Sequence, residues 1–152
     1  MSYEDKIKEQ AQPFLQDGER VLAAFIARPR GATTAGAGGG AGMIGGRKVG
    51  AQNRAAQEAG LQLANPMALA LTEGRLLVLQ VSPPIALGKG GDVKGLASQV
   101  PLTDIESIEV KRLLVGKVVT LTVRGTPFKL EVGGGGDASG LAGEFARLKA
   151  AV

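Results

Sequence analysis

The chain has 152 residues, 18 Lys and Arg against 14 Asp and Glu, and neither histidine nor cysteine. That length fits one domain around one core, and the missing residues exclude disulfides, thiolate metal sites, a Cys nucleophile and histidine-based proton transfer, so no cofactor or metal is expected. The net charge of +4 is spread thinly: residues 1–30 hold five basic and five acidic groups and residues 101–134 hold five and four, which is not the concentrated basic run of a nucleic-acid binder, so none is expected as a partner.

Residues 3–12 predict a short helix, with Ser2 as N-cap, Glu4 and Asp5 in the first turn and Ile7, Ala11 and Phe14 on one face. Pro13 ends it, Asp17-Gly18 makes a turn, and Glu19 to Arg28 reads as a strand closed by Pro29. Residues 31–50 are dominated by Gly and Ala and read as a flexible loop, since glycine loses much backbone entropy on ordering and little is buried in return. Gly42, Gly46 and Gly50 have the four-residue spacing of close-packed helices in lipid, and Met43-Ile44 followed by Arg47-Lys48 suits a shallow membrane insertion meeting anionic headgroups. Val49 to Leu63 reads as a weak helix interrupted by Gly60.

From Met67 the pattern changes to short strands. Met67, Leu69 and Leu71 alternate with smaller residues, Glu73-Gly74 turns the chain, and Arg75 to Val81 is apolar enough to be covered on both faces. Pro83-Pro84 breaks the ladder, and the GKGGDVKG segment reads as an exposed loop. Leu102 and Ile105 anchor a short turn before a strand in which Ile108 and Val110 alternate with Glu109 and Lys111. Val119, Leu121 and Val123 then pair with Phe128, Leu130 and Val132 across an Arg124-Gly125 hairpin turn. Gly133 to Gly136 reads as a joint, Asp137 as a cap, and Leu141, Phe145, Leu148 and Val152 as the apolar stripe of a final helix that must bury it.

No constellation points to catalysis. Asp104, Glu106 and Glu109 alternate with core positions beside Lys111-Arg112 and read as a solvated strand face. None of the five serines lies in a G-x-S-x-G elbow. The Gly36 and Gly38 spacing lacks the strand before and helix after that a phosphate loop requires. Lys89, Lys94, Lys111, Arg112 and Lys117 read as ordinary surface charge balanced by Asp92, Glu106 and Glu109.

Asp17-Gly18-Glu19, ALTEGRLLVL (Ala70 to Leu79), PLTDIESIEV (Pro101 to Val110), the VTLTVRGTPFKLEV hairpin and a closing helix occur in an order that resembles bacterial pleckstrin-homology-like domains. The resemblance covers Asp17 to Leu148, interrupted by a Gly/Ala-rich insertion at 31–64 between the first and second strands. It implies a mainly β single domain over 1–152: a partly open antiparallel barrel of about seven strands in two near-orthogonal sheets, capped by the C-terminal helix. It also implies a binding or scaffold module rather than an enzyme. Relatives of this fold that hold lipid headgroups use basic residues around the first loop, which here corresponds to Arg28, Arg30, Arg47 and Lys48 with Met43 and Ile44 between them. The expected partner is a protein, the chain itself included, with an anionic membrane surface as the alternative. A charged N-terminus without an apolar h-region and the absence of cysteine fit a cytoplasmic location, with membrane association as the variant.

Overall fold

The structure is a computed structural model that describes residues 3–29, 50–64, 66–82, 92–113, 116–136 and 138–150. Helix α1 (Tyr3–Gln10) and a 3-10 turn (Gln12–Phe14) precede strand β1 (Ala23–Pro29). Residues 50–58 form α2. Then come β2 (Met67–Leu71), β3 (Arg75–Val81), β4 (Val93–Pro101), a 3-10 turn (Leu102–Asp104), β5 (Ile105–Arg112), β6 (Lys117–Val123), β7 (Thr126–Gly136) and helix α3 (Ala138–Ala150). The strands make one seven-stranded antiparallel sheet in the order β4-β3-β2-β1-β7-β6-β5. Among the described residues no ladder joins β4 to β5, so the sheet is not closed. Seven antiparallel strands, an unclosed sheet and a closing helix are what the resemblance implies; the two sheets expected are one continuous sheet, its halves joined through β1, which pairs β2 on one side and β7 on the other.

The period of two decides which side chains go inside. Ala23, Phe25 and Ala27 of β1 share an interior with Met67, Leu69 and Leu71 of β2, Leu76 and Val78 of β3, Val119, Leu121 and Val123 of β6, and Phe128 and Leu130 of β7. Val100, Ile105 and Ile108 join them from the two edge strands, so all seven strands curl around one core. Helix α3 seals it with Leu141 and Phe145, both buried, and the half-buried Leu148. The insertion contributes a second plug, because Ala56, Ala59 and Leu61 are buried in the same core. The end of α2 explains how it turns in. Gly60 takes φ +85, its N–H bonds Gln57 O at 3.0 Å, and Leu61 N–H bonds Ala56 O at 2.8 Å. That double bond pattern around a left-handed glycine caps a helix and places Leu61 against its last turn.

The opposite face of β1, β2 and β3 is also covered. Ala24, Ile26, Ala68, Ala70, Leu77 and Leu79 pack with Ile7 and Ala11 in a second core. Alanines at three of those six sheet positions let α1 approach closely. The helix is tied down at both ends: Ala24 N–H reaches the Glu4 carboxylate at 3.4 Å, and Val93 N–H reaches Gln10 Oε1 at 2.7 Å. Ile7 is fully buried here, so Ile7→Ala is expected to cost about 2–4 kcal/mol in urea denaturation. A change indistinguishable from that of an exposed α1 residue such as Glu9 would show that the helix does not pack as described.

Three readings of the sequence need correction. The first strand begins at Ala23 rather than Glu19, because the Glu19 carboxylate is captured by Arg75. Val93, Lys94 and Gly95, read as the end of an exposed loop, belong to β4. The Gly133–Gly136 joint is strand: β7 runs through it, and Gly136 pairs Phe25 across an irregularity in the β1–β7 register. Glycine is a poor strand former, but β1 supplies a partner for Gly136 at the end of the run. Ser2, Pro83 to Lys89, Asp137 and Val152 lie outside the described residues.

Candidate functional site

Of the residues that the sequence offered for membrane or partner contact, Arg28 alone is described. Arg30, Met43, Ile44, Arg47 and Lys48 lie outside the described residues. Arg28 is half-buried on β1, directly opposite Glu131 of β7, so it reads as one half of a cross-strand pair of opposite charge. The three carboxylates weighed for catalysis do not converge on one another in shared burial. Asp104 accepts from Arg124 Nη2 at 2.8 Å, while Glu106 and Glu109 are exposed on β5. Among the basic residues, Lys89 is outside the described set and Lys94 opens β4. Arg112 and Lys117 stand opposite each other where β5 meets β6.

One part-buried polar constellation has no obvious mark in the sequence. Arg75 makes a two-pronged contact with Glu19, Nε to Oε2 at 2.9 Å and Nη2 to Oε1 at 2.7 Å. Nη2 also donates to Phe14 O at 2.8 Å, and Nη1 meets Gln99 Oε1. Glu19 accepts in addition from Gln16 N–H at 3.0 Å and from the Thr72 hydroxyl at 2.9 Å. The Thr72 hydroxyl in turn accepts from Arg75 N–H at 3.1 Å, which shapes the Thr72-Glu73-Gly74-Arg75 turn. The two charged side chains are only 11% and 13% exposed. The Arg75 guanidinium, above all, holds the Glu19 carboxyl well below its ordinary 4.5, at about 2. The Glu19 bond likewise raises the affinity of Arg75 for its proton. Beside the pair opens a cavity of about 470 Å³ lined by Gln16, Glu19, Gly74, Arg75, Gln99 and Pro101. Chemically the pair is spent: acid and base neutralise each other, and both carboxylate oxygens are already bonded. Its role is to fasten the segment after α1 to the β2–β3 turn. The sequence carries a signal for it, a Glu behind a D-G turn and an Arg behind T-x-G, but the partners are 56 residues apart.

The two sheet edges differ. On β4, Val93 N–H is taken by Gln10, and Ser98 exchanges bonds with Gln62: Gln62 N–H to Ser98 Oγ at 3.2 Å and Ser98 Oγ to Gln62 O at 2.9 Å. The β3–β4 register also skips twice, between Val78 and Leu79 and between Gln80 and Val81. Side-chain caps and bulges are how an edge is protected from further pairing. On β5 the register skips once, near Glu106, and then runs unbroken from Ser107 to Arg112 against β6. No hydrogen bond from another described element reaches the backbone of Ser107 to Arg112. Glu109, Lys111 and Arg112 are exposed there.

No protein-family model matches the chain, and no curated protein matches it. Among solved structures, it is similar to a DUF1696 family protein with a pleckstrin-homology domain from Shewanella loihica PV-4, at 18% identity over 95% of this chain and 94% of that one, with a TM-score of 0.45. Among the described residues no helix is long and apolar enough to cross a membrane.

Proposed function

We propose that this protein is a non-catalytic binding module that works by protein–protein association, with further copies of itself as partner. The observation that carries the reading is the open sheet, whose order leaves β4 and β5 without a strand neighbour on one side among the described residues. An unpaired edge is a template for strand addition, in which main-chain hydrogen bonds provide affinity and flanking side chains provide selection. Two facts support the non-catalytic part. The sequence has no histidine or cysteine, and the part-buried carboxylate and guanidinium of Glu19 and Arg75 are committed to each other.

Light scattering across a hundredfold range of protein concentration tests the reading. The weight-average mass is expected to rise above that of the 15.5 kDa chain. A constant monomer mass over the whole range refutes self-association. Contact with an anionic membrane is the competing reading, and liposome co-sedimentation separates the two. Pelleting that requires anionic lipid and is lost in a Met43→Asp/Ile44→Asp variant favours the membrane.

A further inference from the structure

Which edge is used, and in what register, follows from the charges on β5. This inference rests on the self-association reading above. β5 reads Ser107, Ile108, Glu109, Val110, Lys111, Arg112 in unbroken register against β6. Side chains alternate along a strand, so Ile108 and Val110 share the core-facing side while Ser107, Glu109 and Lys111 share the outer one. Two copies of one strand pair antiparallel about a two-fold axis, and residue i then meets j while j meets i. A register that opposes an even-numbered residue to an odd-numbered one would put a core-facing side chain on the outer face and is excluded.

Four central registers remain. Centring on Ile108 sets Ile108 against Ile108 and Glu109 against Ser107, which makes no ion pair. Centring on Glu109 sets two carboxylates face to face, and centring on Lys111 does the same with two ammonium groups. Centring on Val110 sets Val110 against Val110, Glu109 against Lys111 and Lys111 against Glu109, with Ile108 beside Arg112. That register alone makes two ion pairs and no like-charge contact, and opposite charges directly across a ladder stabilise it while like charges oppose it. Charged residues on an edge ordinarily discourage pairing. Alternating signs turn the same residues into a filter that admits one partner in one alignment.

We infer that β5 is the self-association edge, and that two copies join through antiparallel β5–β5 pairing centred on Val110, held in register by reciprocal Glu109–Lys111 ion pairs. The β4 edge, where Gln10 takes the Val93 N–H, the Ser98 hydroxyl is held by the Gln62 backbone and two bulges break the register, is the protected one.

Charge exchange tests this on the full chain. Glu109 and Lys111 are exposed, so Lys111→Glu and Glu109→Lys leave the fold intact, which circular dichroism verifies. Each single variant replaces two attractions with two repulsions and is expected to weaken the dimer at least about tenfold in sedimentation equilibrium. The Glu109→Lys/Lys111→Glu double variant is expected to recover the wild-type dissociation constant within about threefold. Mixed with wild type, it forms no heterodimer in native mass spectrometry. Because the chain has no cysteine, Val110→Cys is expected to give a disulfide-linked dimer under mild oxidation. Ser107→Cys is not, since its own counterpart lies about 20 Å away along the ladder. A dimer indifferent to Lys111→Glu and unlinked by Val110→Cys overturns the β5 register while leaving self-association standing. A wild-type chain that is monomeric throughout overturns both.

Discussion

Arg75→Ala is expected to lower stability by about 3 kcal/mol, read as a fall in the urea midpoint with an unchanged slope. Breaking one side of a fully buried ion pair costs about 3–5 kcal/mol, and this pair, part-buried beside a cleft, lies at the lower end. The guanidinium spans Glu19, Phe14 O and Gln99, so its loss frees the segment between α1 and β1 from the β2–β3 turn and strands the Glu19 carboxylate among two remaining donors. The same pair sets an acid dependence. Glu19 is lowered from 4.5 to about 2, so the unfolded chain takes up its proton first as the pH falls. The contribution of Glu19 is therefore complete above the unfolded value and is lost between pH 4.5 and about 2. After solvent screening at the cleft mouth it amounts to roughly 1–3 kcal/mol. Glu19→Gln is expected to remove this part of the pH slope and leave the rest, including that of Asp92, whose carboxyl is lowered chiefly by its bond to Lys6 and then by Gln10. Identical slopes for wild type and Glu19→Gln between pH 5 and 2 would show that the carboxylate is not held as described.

Phe145→Ala should cost about 3–5 kcal/mol, the range for deleting a buried aromatic side chain. Phe145 is 4% exposed and reaches the core shared by all seven strands. Its loss leaves a void that neither a stiff sheet nor the alanines of α2 can fill. The helix is also held by Lys149, whose ammonium lies 5.8 Å from the Phe145 ring centre and donates to Leu102 O at 3.3 Å. Leu148, half-buried, is expected to cost less than Phe145, and the exposed Arg147 about 0.5 kcal/mol or less. If Phe145→Ala matched Arg147→Ala, the helix would not be the seal of the core.

The parts of the fold that were legible in the sequence are those where a local pattern and the tertiary environment agree. The β6–β7 hairpin is an example: both arms keep a period of two, and Arg124 and Gly125 take φ 49 and 82, the left-handed pair that a two-residue hairpin turn requires. The α3 stripe and the doubly covered β3 were legible for the same reason. β4 was not, because Lys94, Gly95, Ala97, Ser98 and Gln99 are weak strand formers and the neighbouring β3 edge imposes the pairing. The Gly133–Gly136 extension was hidden in the same way. The Glu19–Arg75 pair is a long-range contact with no local signature of burial. Glu109 and Lys111 were visible as an alternation, but their meaning depends on β5 being an edge, which only the strand order provides. Of the residues first weighed for contact, Arg28 proved to be a cross-strand neighbour of Glu131.

The layer that α1 lays over β1, β2 and β3 has a practical bearing on how this protein is handled. A shortened chain that begins after Leu15 would present Ala24, Ile26, Ala68, Ala70, Leu77 and Leu79 to water as one continuous greasy surface. Such a chain would clump through that bared face, on the other side of the sheet from the α3 seal, and its particle size would report the damage and not the native contact.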